Sequence, residues 1–326
     1  MAGPDKDAPR VLVIGSANID ISVSVDRLPA PGETVLGGDS LERWGGKGAN
    51  QALAALRAGA RVRFVSATGD DPAGAAYRRR LLSEGLQRRG LLTVPGGTGT
   101  ALIIVDGAGR NQIAVSPGAN ARLTPRLMGQ DKAKSNGILE YGDAVLAQLE
   151  IPAASVIAAF RSAKRRGAVT ILNPAPAPGP LPPKLIQLAD VIVPNEIEAA
   201  ALAGGGVPRS EAGLLRICRA LLKKGAGSVV LTAGARGALL HGKGDIAWLR
   251  PPGGIRVADT TGAGDVFSGA LAASLAEGAT LKNAVRFAVA ASALSVRKKG
   301  AQEGIPGRRV IREALRRTLW EPVMRG

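Results

Sequence analysis

Residues Asp259 to Gly269 read DTTGAGDVFSG and run on into ALAASLAEG. From Asp265 onward the spacing is helical, with Val266 and Ala270 on one side and Phe267, Leu271 and Leu275 on another. Gly262, Ala263 and Gly264 therefore stand where a loop meets a helix N-terminus. Free backbone N–H groups and the positive end of the dipole point outward there, and small residues let an anion approach closely. Asp265, in the first turn, sets a carboxylate beside that cradle. Such a carboxylate can take the proton from a hydroxyl attacking a phosphoryl group held in the cradle. A helix-capping acid above an ordinary glycine turn has the same spacing, and spacing alone leaves both readings open.

Two further segments carry polar groups next to glycines. Trp44 to Ala52 (WGGKGANQA) leads into LAALRAGA, so Gly45, Gly46 and Gly48 form a flexible approach to a helix. Lys47 and Asn50 can reach a polar ligand from it, although Lys47 also fits a solvated charge. A Walker phosphate loop is excluded, because Lys47 is followed by Gly48 and not by Ser or Thr. Gly15 to Asp20 (GSANID) follows an apolar run, and Asn18 with Asp20 suits hydrogen bonds to vicinal hydroxyls. A strand-end turn favours the same residues. No dinucleotide fingerprint follows the first strand. The lone histidine, His241, lacks acidic or thiol company, which argues against Ser-His-Asp hydrolysis and histidine-rich metal sites.

The elements that must position these groups follow from the apolar runs. Val11–Ile14, Ala144–Leu146, Val169–Leu172, Val191–Val193 and Val229–Leu231 read as doubly buried strands. Helical patterns alternate with them, such as Asn50 to Ala58 stopped by Gly59. The expected fold is α/β, a doubly wound, mostly parallel sheet flanked by helices, forming a single domain over about 11–320. Ile19–Val25 and Asn111–Ser116 alternate apolar with polar residues instead, as strands with one wet face do. Glu33–Leu36 and Ala101–Asp106 are their expected partners. A small second sheet, inserted at about 17–40 and 97–118, is thus expected to act as a lid over the crevice. The proline-rich Asn173 to Pro183 reads as a stiff loop at a strand end. No repeat of fixed period is present.

Composition narrows the class. The first decade, MAGPDKDAPR, is charged and the apolar run after it is short, so neither a secretory signal nor a membrane span fits, and residues 1–10 are expected to be flexible. The single cysteine, Cys218 in LLRICRALL, reads as a core thiol and suits a reducing, cytoplasmic setting. The net charge of +17 raises nucleic-acid binding, since 31 of the 43 basic residues are arginine. No basic ladder interleaved with aromatics accompanies it, and aromatics are only 3% of the chain, so no nucleic-acid partner is expected.

Taken in order, GSANID, PGETV (Pro31–Val35), GGKGANQA, TGDD (Thr68–Asp71), PGAN (Pro117–Asn120), QLE (Gln148–Glu150), LNPAPA, PNE (Pro194–Glu196), TAGARG (Thr232–Gly237), DTTGAGDVFSGAL and KKGAQ (Lys298–Gln302) resemble the ribokinase-like, or pfkB, carbohydrate kinases. The resemblance runs from about Val11 to about Arg317. It implies transfer of the γ-phosphate of ATP to the 5-hydroxyl of ribose, with deoxyribose, fructose, a keto-deoxy sugar acid or a nucleoside as alternative acceptors. It implies Asp265 as general base and Gly262, Ala263 and Gly264 as anion hole. Asn18, Asp20, Gly46, Lys47, Asn50 and Glu150 match the family's sugar contacts. Asn195, Thr232, Gly234, Gly237 and Gly264 match its nucleotide contacts, and Glu198 matches the acid that helps place magnesium. A monovalent cation, usually potassium, is implied at Asp259, Thr261, Ser295, Lys298 and Gly300, with Gly304 where the family has a small polar residue. The segment Lys132–Tyr141 is more polar than the matching helix of the family. A homodimer through the lid sheets is also implied.

Overall fold

The computed structural model describes residues 8–129, 137–177, 179–242 and 244–323. Residues 1–7 of the expected flexible start, and 132–136 of the polar segment, lie outside them. The chain begins β1 (Arg10–Ile14), β2 (Asn18–Val25), β3 (Gly37–Gly45), α1 (Lys47–Arg57), β4 (Arg61–Gly69), α2 (Pro72–Ser83), β5 (Leu91–Val94), β6 (Gly99–Asp106) and β7 (Asn111–Ser116). It continues β8 (Ala144–Ala147), α3 (Ala153–Arg165), β9 (Val169–Leu172), α4 (Pro183–Leu188), β10 (Val191–Ile192), α5 (Glu196–Ala203) and α6 (Glu211–Lys223). Then come β11 (Val229–Thr232), β12 (Ala238–His241), β13 (Ile246–Arg250), α7 (Ala263–Ala276), α8 (Leu281–Ser295), α9 (Arg308–Leu315) and β14 (Leu319–Pro322).

Ten strands form the main sheet in the order β14-β13-β12-β11-β10-β9-β8-β1-β4-β5. From β11 to β5 neighbours are parallel; β12, β13 and β14 add an antiparallel edge. The apolar runs are continuous because both faces are covered. Val11 and Val13 of β1 enter one core with α1, α7 and α8, while Leu12 and Ile14 enter the other with α3 and α6. Cys218 lies fully buried in the second core, where burial pushes its thiol up to about 12. Among the described residues no helix is long and apolar enough to cross a membrane.

The chain passes from β1 to β4 on one side and later from β8 outward on the other, so the strand order reverses between β1 and β8. Crevices open at such reversals, beyond the carboxyl ends of the strands. Here those ends carry Gly15–Asp20 and Gln148–Glu150.

A separate four-stranded sheet, β3-β2-β6-β7, grows from this point. Its strand β3 differs from expectation. Glu33–Leu36 lies in the preceding loop, where Glu33 binds Arg27 and accepts from the Ala30 N–H (3.0 Å). The partner of β2 is Gly37–Gly45, paired from Asn18↔Gly45 to Val25↔Gly37. Most of β3 is exposed on both faces, so it carries no apolar alternation to read.

Helices α1 and α7 pack face to face with little between them. A Cβ on Gly269 of α7 would stand 2.4 Å from the Gln51 carbonyl oxygen and 2.6 Å from Ala54 Cβ of α1. We expect Gly269→Ala to lower stability by about 1–3 kcal/mol, overpacking outweighing the gain of up to about 1 kcal/mol in helix propensity. Urea unfolding of the two proteins checks this; equal or higher stability of the variant contradicts the packing argument.

Candidate active site

Asp265 sits in the first turn of α7 and is only 7% exposed. Its Oδ2 accepts from Asn50 Nδ2 (3.0 Å) and its Oδ1 from Gln51 Nε2 (2.9 Å), both on the first turns of α1. Gln51 also donates to Asn173 Oδ1 (2.9 Å) and accepts from Gln148 Nε2 (2.6 Å). The carboxylate is thus held at both oxygens and its donors are held in turn. Gly262, at φ 74°, caps α7 and packs on Ala301, which leaves the backbone of Gly262–Gly264 open toward the crevice.

More acids surround the point. Glu150, at the end of β8, accepts from the Ser16 hydroxyl and from Lys47 N (3.1 Å). Asp20, on β2, receives no hydrogen bond among the described residues. Burial, then the charges of Glu150 and Asp265, push its carboxyl up to about 7 against the pull of Lys47. Burial opposes the charge of Lys47, yet the carboxylates of Asp265, Glu150, Glu198 and Asp20 together raise its pKa. Asn18 is buried and its Oδ1 accepts from Asn120 Nδ2 (2.7 Å). Gly46, at φ 89°, has its Cα against Asn18 N and Ala17, where a Cβ would be 2.7 Å and 2.9 Å away.

Two clefts meet over the start of α7. The larger, about 510 Å³, is lined by Gly234, Gly237, Val257, Phe267 and Val289, an apolar slot with a glycine turn at its rim. The smaller, about 200 Å³, holds Lys47, Asn195, Glu198 and Asp265. Thr232, Thr260, Ala263 and Gly264 line both. Asn195 and Glu198 form a capping box on α5: Asn195 Oδ1 accepts from Glu198 N (2.8 Å), and Glu198 Oε2 accepts from Asn195 N (2.9 Å). Burial raises the pKa of Glu198, offset by its backbone bond and by Lys47.

Behind the glycine cradle, Asp259 Oδ1 accepts from Thr261 N (2.9 Å) and Oγ1 (2.7 Å), and Oδ2 accepts from Gly300 N (2.8 Å). Burial works against this carboxylate, but those donors and Arg43 hold its pKa below the ordinary value. The carbonyl oxygens of Ser295 and Gly300 converge beside Gly304, 2.4 Å and 3.5 Å from where a Cβ would sit. Carbonyl oxygens converging near a carboxylate are a donor set fit for a monovalent cation, and the absent side chain at Gly304 keeps that space open. The Lys298 N–H donates to the Ser295 oxygen (3.4 Å), and its side chain is exposed. Among the described residues no group of three or more acidic, histidine or cysteine side chains is placed to hold a metal. Glu198 is therefore a single carboxylate donor, which suits magnesium that keeps phosphate and water ligands.

A profile of the pfkB family carbohydrate kinases matches residues 8–308. The chain belongs to that family. A ribokinase of Haemophilus influenzae is 38% identical over 304 residues, covering 93% of this chain and 97% of that one. A bifunctional ribokinase/ribose-5-phosphate isomerase A of Fructilactobacillus sanfranciscensis is 39% identical over 305 residues, and the chain spans 55% of its length. Among solved structures, Arabidopsis thaliana ribokinase complexed with ribose and ATP superposes with a TM-score of 0.84 at 32% identity, covering 94% of this chain and 99% of that one. This pfkB-family chain also brings together residues to which its motifs assigned no role. Gln51, Gln148, Asn173 and Gln302 all lie in segments that carry the resemblance and are all buried. A polar side chain in a buried setting needs partners, and that was the available signal. Tyr77, in the plain helix PAGAAYRRRLLS, offered none.

The unsatisfied Asp20 has a thermodynamic consequence. Its folded carboxyl holds the proton up to about pH 7, while the unfolded chain loses it near 3.8. Between those values the folded state binds more protons, so this group lowers stability as pH rises and the penalty is complete above about 7. We expect Asp20→Asn to stabilise the free protein by about 1–3 kcal/mol at pH 8, the gain vanishing by about pH 4. Urea midpoints at the two pH values test it; a gain independent of pH contradicts the assignment.

Proposed function

We propose that the chain is a ribose kinase, transferring the γ-phosphate of ATP to the 5-hydroxyl of D-ribose. The observation that carries this reading is the place of Asp265, at the meeting of an apolar cleft and a small polar one, with both carboxylate oxygens held by α1. The adenine side of ATP takes the larger cleft beside the Thr232–Gly237 turn. Its phosphates pass Asn195 and reach the N–H groups of Gly262, Ala263 and Gly264. Lys47 faces the transferring group, and ribose lies under the lid between Asn18, Asp20, Gly46, Asn50 and Glu150. Asp265 accepts the proton of the attacking hydroxyl, and the closed lid keeps water from taking the sugar's place. Relatives named ribokinases, over nearly the full chain, support the choice of sugar.

Glu198 is the residue we assign to magnesium, which supplies neutralisation of the phosphate charge. Asp259, Thr261, Ser295, Lys298, Gly300 and Gly304 surround the place we assign to potassium, whose charge supports the loop behind the anion hole. We also propose a homodimer through the lid. Leu41, Ile113 and Val115 are about half exposed, and pairing through β2, β6 and β7 sets them on the lid face that carries Asp20. A second copy would cover this apolar extension and the sheet edge. The buried, reduced Cys218 suits a cytoplasmic enzyme.

A coupled assay over pentoses, hexoses and nucleosides tests the function. Asp265→Asn is expected to lower kcat by about two to four orders of magnitude. The carboxylate accepts from two N–H donors, and the new amide sets its own amino group against one of them, so a stability loss of about 1–2 kcal/mol accompanies it. Turnover above about a tenth of wild type, in protein shown to be folded, removes Asp265 as the base. The substrate choice has its own test. A buried carboxylate left short of one hydroxyl costs about 1–3 kcal/mol, so ribose should exceed 2-deoxyribose in kcat/KM by about tenfold to a hundredfold. Asp20→Ala should narrow that ratio; equal handling of both sugars by wild type removes ribose as the favoured acceptor.

A further inference from the structure

The donor that Asn50 offers to Asp265 is the last link of a buried chain that starts in the lid. A backbone carbonyl can only accept, so Tyr77 Oη donates to the oxygen of Gly45, the final residue of β3 (2.6 Å). With its proton engaged there, the Tyr77 oxygen accepts from Gln302 Nε2 (3.0 Å). The same Nε2 donates to Asn50 Oδ1 (3.0 Å). That turns the Asn50 amino group toward Asp265 Oδ2 (3.0 Å). Each link has one allowed direction, because the Gly45 carbonyl at one end and the Asp265 carboxylate at the other can only accept. Tyr77 is fully buried and Gln302 is 2% exposed, so water cannot replace either partner. Burial also raises the Tyr77 hydroxyl above its ordinary range, which keeps it a proton donor.

Gln302 itself is fixed from behind. Its backbone carbonyl accepts from Arg57 Nη1 (2.7 Å), and Gly300 in the same loop is tied to Asp259 (2.8 Å). The other oxygen of Asp265 is served by an independent arm, in which Val193 O orients Asn173 (2.9 Å) and Asn173 orients Gln51 (2.9 Å). That arm is rooted in the main sheet. The Tyr77 arm is rooted in the lid.

We infer that Gln302, with Tyr77, is a positioning residue that makes the aim of Asp265 depend on the seating of lid strand β3. The inference rests on the reading of Asp265 as the base. Without the Gln302 donor Asn50 Oδ1 loses its partner, and the carboxamide is anchored at its Asp265 end alone, free to rock about that bond. Asp265 then keeps a fixed donor only in Gln51 and points its second oxygen with less constraint. A base that is present but loosely aimed loses turnover, whereas ATP, which touches neither residue, binds as before.

The test uses Tyr77→Phe, which removes one hydroxyl, and Gln302→Met, which keeps the side-chain volume, with the double variant and Asp265→Asn alongside. Each single variant is expected to lower kcat about tenfold, with KM for ATP within about twofold of wild type. Because the two links lie in series, the double variant should fall no further than the worse single one. A purely structural role would lower the unfolding midpoint while leaving kcat per folded molecule unchanged. Normal kcat in either single variant, a change confined to KM, or losses that multiply in the double variant each overturn the inference. If Asp265→Asn itself stays active, it is the base assignment that has failed; if Asp265→Asn is dead while either single variant turns over normally, only the positioning role has.

Discussion

The first turns of α1 and α7 have to meet, and the separation of the two helices decides whether any of the site chemistry is possible. Asn50 and Gln51 reach Asp265 only because Gly269 lets α7 rest on the backbone of α1, with Ala54 and Ala55 as its other neighbours. A second close approach fixes α1 to the sheet. A Cβ on Gly48 would stand 2.5 Å from the backbone of Gly15 and Ser16, so that glycine seats the start of α1 on the end of β1. Both helix N-termini therefore open into the crevice beyond β1 and β8. Two positive dipole ends then face the same small volume, which explains why acids collect there and why an anion finds a cradle.

The acids are not alike, and the difference assigns their work. Asp259, Glu198 and Asp265 each accept hydrogen bonds that hold them in place. Asp20 accepts none among the described residues, and burial with the charges of Glu150 and Asp265 raises its pKa with only Lys47 to oppose them. A carboxylate in this condition is stabilised by any ligand that brings hydroxyl donors, which is what a sugar does. Lys47 lies among four carboxylates and so remains charged despite burial. Lys47 and, across from Asp20, Arg43 are the cations set against these acids, and nothing in the structure connects the +17 net charge to the crevice. Several of the arginines pair elsewhere on the surface, as Arg10 does with Asp143 and Arg308 with Glu277.

What could be read beforehand followed from burial on both faces. β1, β8, β9 and β11 announce themselves as apolar runs because each of their faces meets helices, and α7 is apolar or small nearly all round because α1, α8 and the sheet enclose it. β3 lies at Gly37–Gly45 and not at Glu33–Leu36 because its residues meet solvent and carry no alternation, so that pairing with β2 defines it. The glycine turn and the helix that starts at Asp265 are legible from local spacing, whereas their role is not, because a capping acid has the same spacing. The groups that hold Asp265 are not legible either, since Asn50 and Gln51 stand more than two hundred positions from it, and Gln302 stands 252 from Asn50. Hydrogen bonds of that kind leave no periodicity. Only the presence of carboxamides in otherwise apolar or glycine-rich motifs hinted at them.

The lid combines a stiff root with an exposed tip. Asn18 pairs with Gly45 on one side and with Gly99 on the other, so the strands β3, β2 and β6 cross into the body on one rung. Asn120 clamps this rung by accepting from Ala17 N (3.0 Å) and donating to Asn18 (2.7 Å), and Tyr77 clamps it at Gly45. Neither glycine has room for a side chain: a Cβ on Gly45 would meet Asp20 at 2.0 Å, and one on Gly99 would meet Asn120 at 2.1 Å. Asp20 lies two residues beyond the rung, opposite Arg43 and Ala101. Its distance from Asp265 is accordingly governed by the clamped root, so the carboxylate of the lid and that of α7 are held to one another through the same rung that Tyr77 and Asn120 fix.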